Sequence, residues 1–145
     1  MREARRLALL ERQRLIADVA RKQALRGLAE ALEAEARHTA IAARARALVS
    51  TSAPSTGPTT GAALTGRAGF TAGLARIAVQ AGEAANDAAR QREWQADTLA
   101  AAETRAKRLS ERESEARAAL TAVQERREAA RTVPLARKLQ SKGDT

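Results

Sequence analysis

The sequence predicts an all-α protein, a long antiparallel two-helix coiled-coil hairpin, and three observations predict it. Ala and Arg account for 38 and 22 of the 145 residues, in long runs free of proline. Both favour helix, because Ala loses no side-chain entropy and Arg loses little rotamer freedom. The chain holds one Phe, one Trp and no Tyr, with a thin scatter of Leu, so a compact core is out of reach. Finally, a single breaker-rich stretch divides two helix-forming arms. The expected form is a rod, working through reach and surface rather than through a pocket.

The first helix is expected over about 2–49, where there is no Pro and a single Gly, Gly27. A flexible Ser/Thr/Pro/Gly linker follows over about 50–69, because Pro54, Pro58 and four Gly within that stretch oppose helix. Helix formers return over about 70–131, weakened early by Gly73 and Gly82, and Pro134 is expected to close the second helix ahead of a basic tail, 132–145. Apolar spacing is clearest in the second arm. Phe70, Leu74, Ile77, Ala81, Ala84 and Ala88 recur by threes and fours, as do Leu99, Ala102, Ala106 and Leu109, then Ala116, Leu120 and Val123. Arg92, Gln95, Glu113 and Arg127 fall in the same register and read as interruptions. In the first arm the seam is expected at Leu25, Leu28 and Leu32 and again at Ile41, Ala45 and Leu48, with a broader cluster of Leu7, Leu9, Leu10, Leu15, Ile16 and Val19. Two long arms around a flexible connection fold most simply as a hairpin. Dimerisation through the same seams is the alternative.

The formal charge is +9. Eleven bases oppose six acids over 1–49 and thirteen oppose nine over 90–145, while 50–89 is balanced. Asp18/Lys22, Glu33/Arg37, Glu103/Lys107 and Glu113/Arg117 place an acid four residues before a base, the favourable orientation on a helix. This pattern reads as a solvated face with a positive excess that suits acidic partners. A nucleic-acid binder would concentrate its charge in one patch beside stacking aromatics, so nucleic acid is not an expected partner.

Chemistry for catalysis is missing from the sequence. Without Cys there is no disulfide or thiolate site, and His38 is the only His, expected on the surface. GPTTGAALTG lacks the Gly-Lys-Ser/Thr ending of a phosphate loop. No enzyme, cofactor, metal or small-molecule substrate is expected. The run Leu7 to Leu10 is too short for a signal-peptide core or a membrane span, and Glu3 and Glu11 oppose a transit peptide, so a cytoplasmic protein is expected. Phe70 and Leu74 stand out as either core at the hairpin tip or an exposed docking stripe. Trp94 lies one position off the seam; cover by Lys or Arg stems and a contact hot spot are its two readings.

A long basic first helix, a Gly-containing break, and a second helix opening on Phe70-x-x-x-Leu74 resemble the FliJ/YscO family, small coiled-coil stalk proteins of flagellar and related type III export. GAALTGRAGFTAGLARIAVQAGEAANDAARQ matches the break-and-restart region, and KRLSERESEARAALTAVQERREAAR is similar to the charged second helix. The resemblance implies a non-catalytic antiparallel coiled coil that enters the ring of a hexameric export ATPase. It implies contact with the cytoplasmic domain of the export gate, escort of export chaperones, and a peripheral place at the cytoplasmic face of the inner membrane. Phe70 and Leu74 fall on the family's gate-facing positions. Arg126, Arg127 and Arg131, in a C-terminal overhang, are the expected contacts with the ATPase ring. Two other readings stay open: a basic helical nucleic-acid-binding protein, and a generic structural coiled coil.

Overall fold

The computed structural model describes residues 1–52 and 57–143. Among these residues the chain is all-α: helix α1 runs Arg2–Thr51 and helix α2 runs Gly61–Gly143, with no strand. Glu3 sits in the first turn of α1, where negative charge complements the helix dipole. The C-terminal end of α1 is closed by hydrogen bonds onto one carbonyl. Leu48 O accepts from the Ser52 amide at 3.0 Å and from the Thr51 hydroxyl at 3.2 Å.

Helix α2 starts at Gly61, inside the expected linker and well before Phe70. Thr60 is the reason. Its hydroxyl accepts the Ala63 amide at 3.2 Å while its carbonyl accepts the Leu64 amide at 3.0 Å, which is the geometry of an N-cap. Gly66, Gly69 and Gly73 are then carried inside the helix; each costs about 1 kcal/mol relative to Ala, too little to stop a capped helix. At the other end α2 does not close at Pro134 but continues to Gly143, through most of the expected tail. Proline removes only one backbone hydrogen bond, that to the carbonyl of Ala130, in an exposed stretch of the helix. Of the linker 50–69, only Ser52 and 57–60 are described and lie outside both helices; 53–56, including Pro54, lie outside the described residues.

The chain divides into two compact units, Met1–Lys22 with Ala101–Thr145, and Gln23–Ala100. In the first unit the α1 side chains turned inward are Leu7, Leu10, Arg14 and Ala17. On α2 they are Ala102, Ala106, Leu109, Glu113, Ala116, Leu120 and Val123. Glu11 meets Arg117 and Arg14 meets Glu113, so the partner's number falls as the α1 number rises. In the second unit α1 turns in Ala24, Leu28, Ala31, Glu35, His38, Ala42, Ala45 and Val49. The α2 side is Thr71, Leu74, Ala78, Ala81, Ala85, Ala88, Arg92, Gln95 and Leu99. Every step in these rows is three or four residues, alternating, as one face of a slightly underwound helix requires.

The α1 seam is therefore not where the large aliphatics lie. Leu28 and Ala45 are inward as expected, but Leu25, Leu32, Ile41, Leu48 and Val19 are each about half exposed, and Leu9, Leu15 and Ile16 more so. The most buried α1 residues are all Ala: 17, 24, 31, 42 and 45. Close helix approach admits small side chains on the line of contact and pushes Leu and Ile to its flanks. Gly27 marks the closest approach, since a Cβ there would lie 2.6 Å from Gln95 Oε1. Arg92, Gln95 and Glu113, which read as interruptions, belong to the seam itself.

Candidate functional site

Phe70 and Leu74 do not share one environment. Leu74 sits in the inward row of the second unit and is half-buried, whereas Phe70 is 63% exposed. Ile77, expected in the seam, is also turned out, at 54%. Phe70, Ile77 and Ala84 are spaced by sevens, so they lie in one row along a flank of α2.

The facing flank of α1 completes the surface. A shallow cleft lined by Ala31, Ala34, His38, Ala84, Asp87, Ala88 and Gln91 places Ala34 of α1 and Ala84 of α2 on the same side of the second unit. Ile41 and Leu48 follow Ala34 by sevens on α1, as Ile77 and Phe70 precede Ala84 on α2. Ile41, Leu48, Ile77 and Phe70 are thus apolar residues on one flank of the second unit, supplied by both helices and each about half exposed or more; Leu48 falls level with Ile77, while Ile41 and Phe70 extend the row in opposite directions. The opposite flank is different. Its cleft is lined by Glu35, Thr39, Ala42, Arg46, Gly82, Ala85, Asn86 and Ala89, and is polar. Sequence reasoning found Phe70 but missed Ile41 and Leu48, which it assigned to the seam. The seven-residue spacing of Phe70 and Ile77 carried the signal.

Two ionic layers cross the seams. In the second unit Arg92 Nε donates to Glu35 Oε2 at 2.9 Å. In the first, Glu113 is almost fully buried and accepts on both oxygens: Arg14 Nη1 donates to Oε2 at 2.8 Å and Arg117 Nη2 to Oε1 at 3.0 Å. Arg117 also reaches Glu11 at 3.2 Å, and Arg14 lies 3.8 Å from Asp18. Of the four charge pairs expected along single helices, Glu113/Arg117 forms; Asp18 turns to Arg14 instead of Lys22. His38 is half-buried in the seam rather than on the surface. Trp94 is 59% exposed, so Lys and Arg stems do not cover it.

Arg126, Arg127 and Arg131 are exposed, within a stretch from Gln124 to Val133 in which every side chain faces solvent. None of the three forms an ion pair with a described residue. Among the described residues no group of three or more His, Asp or Glu is placed to hold a metal ion. No helix is long and apolar enough to cross a membrane. No family model, no curated protein and no solved structure matches this chain.

Proposed function

We propose that this chain is a non-catalytic antiparallel coiled-coil hairpin of the flagellar or a related type III export apparatus, a stalk for the export ATPase. The observation that carries the reading is the uncovered apolar edge of Ile41, Leu48, Phe70 and Ile77 beside a seam of small residues. Such an edge, next to a helix start, is a surface for a protein partner, and the export-gate cytoplasmic domain is the partner the resemblance implies. Phe70 is the anchor of that contact; Leu74 supports it from the seam beneath. The three-and-four burial of both helices and the falling order of partners support an antiparallel coiled coil.

The stalk would act by position. A helix end inside a ring makes different contacts with each subunit and so biases nucleotide states unequally; equal contacts would shift nothing. Arg126, Arg127 and Arg131, exposed and without acidic partners among the described residues, suit acidic loops lining such a ring. Escort of export chaperones and a peripheral place at the cytoplasmic face of the inner membrane belong to the same reading.

Titration calorimetry against an export-gate cytoplasmic domain tests the proposal. Phe70→Ala should weaken binding by about thirtyfold, the equivalent of a hot-spot loss near 2 kcal/mol. Its unfolding free energy should change little, because the ring is mostly exposed. Leu74→Ala should show its loss in folding instead. Unchanged gate binding by a folded Phe70→Ala, Ile77→Ala double variant would refute the assignment.

A further inference from the structure

The outward face of α1 in the first unit has a chemistry that neither the seam nor the apolar edge uses. Leu9, Leu15, Ile16 and Val19 are 60%, 64%, 62% and 54% exposed on it, a cluster of large aliphatics facing solvent. Arg2, Arg5, Arg12 and Lys22 are interspersed among them at helical spacing, all exposed. No carboxylate of α1 shares this face, and Glu115 of α2 borders it at the groove beside Leu9. The three acids of the segment are engaged away from it: Glu3 has a buried Oε2, Glu11 pairs with Arg117 of α2, and Asp18 pairs with Arg14, which itself bonds Glu113 of α2. Beside Leu9, the guanidinium-bearing residues Arg2, Arg5, Arg6 and Arg112 converge with Gln13 and Glu115 around an open groove. The outward face of α2 in the same unit is mixed in sign, with Lys107, Arg108, Glu111 and Glu115. The one-signed face is a property of α1 alone.

We infer that this face docks on an anionic phospholipid surface. A second copy is a poor occupant, because the same face would bring Arg against Arg. A folded acidic partner would offer walls around the aliphatics, but this face is the convex side of one helix. A planar, yielding surface suits it: Leu9, Leu15, Ile16 and Val19 sink to the acyl boundary, and the Arg stems lie along the interface with their heads among phosphates. The four-arginine groove collects headgroup phosphates at the edge of the same contact. Among the described residues no helix is long and apolar enough to cross a bilayer, and the proposed attachment is to its surface. This inference does not depend on the export reading.

Co-sedimentation of the full chain with vesicles tests it. The protein should bind phosphatidylglycerol/phosphatidylcholine vesicles at low salt, release from them at high salt, and ignore pure phosphatidylcholine. Arg5→Gln with Arg12→Gln should lower partitioning by about thirtyfold, from the usual contribution of each base near an anionic surface. Leu9→Gln with Ile16→Gln should abolish binding while helicity by circular dichroism stays unchanged. Lys107→Gln with Arg108→Gln, on the other helix, should bind like the parent. Failure of the parent to bind anionic vesicles, or full binding by the folded Leu9/Ile16 variant, would overturn the proposal. So would an oligomer of the parent that the Leu9/Ile16 variant dissolves, or binding to soluble polyglutamate with none to vesicles.

Discussion

Glu113 and Arg14 are partners, but their removal should have opposite consequences. Consider Glu113→Leu. Glu113 is 5% exposed, so its charge has lost nearly all of its hydration, a penalty of several kcal/mol that two hydrogen bonds must repay. Its donors are in another position: the Arg14 and Arg117 side chains are 43% and 63% exposed and can rehydrate when Glu113 is gone. A leucine there buries on the order of 100 Å² of apolar surface, near 2.5 kcal/mol at 25 cal/mol per Å². The expected net is a gain of about 1 kcal/mol. Arg14→Leu leaves the buried carboxylate with Arg117 alone, and a loss of about 2 kcal/mol follows, below the 3–5 kcal/mol of a fully orphaned charge. The double Leu variant should be at least as stable as the parent, so the cycle reports a coupling of at least about 1 kcal/mol. Urea unfolding followed by far-UV circular dichroism measures all four corners. If Glu113→Leu destabilises more than Arg14→Leu, the argument from unequal exposure is wrong.

Removing the Thr60 cap with Thr60→Ala should cost about 1 kcal/mol locally, seen as faster amide exchange at Ala63 and Leu64 with α1 unaffected. Gly66→Ala and Gly69→Ala should each stabilise by about 0.5–1 kcal/mol, because nothing lies within 4 Å of the added Cβ; a loss in thermal unfolding would contradict this. Gly27→Ala should gain less than these, since its Cβ must displace the Gln95 amide from 2.6 Å, and Gln95→Ala in that background should recover the difference.

The two helices and the break between them were legible because propensity and proline placement act locally. The seam of α1 was not, for a physical reason. Hydrophobicity ranks Leu25, Leu32, Ile41 and Leu48 above any Ala, but on a line of close contact size decides, and Ala24, Ala31, Ala42 and Ala45 hold it. Arg92 and Glu113 read as defects because what neutralises them lies far along the chain, 57 residues away at Glu35 and 99 away at Arg14. Phe70 was visible as an isolated apolar residue at a helix start. Ile77 shares its row on α2, but Ile41 and Leu48 come from the other helix, so only the alignment of α1 with α2 brings Leu48 level with Ile77. The early start of α2 rested on one hydroxyl, that of Thr60, which composition had assigned to a linker.

The ionic layers also carry information about direction. α1 has its base first and its acid second, Arg14 and Glu35, 21 residues apart; α2 repeats that order with Arg92 and Glu113 at the same separation. Two strands written in the same order match only when one is reversed. Laid side by side in the same sense, Arg14 would face Arg92 and Glu35 would face Glu113, two like-charged contacts across the seam. The pattern disfavours parallel association in that register. It does not say whose helix answers, because a second copy of either helix, reversed, presents the same complement. The charges of this chain therefore favour one orientation of its helices, while the choice between folding on itself and exchanging arms with a neighbour falls to the connection between the helices.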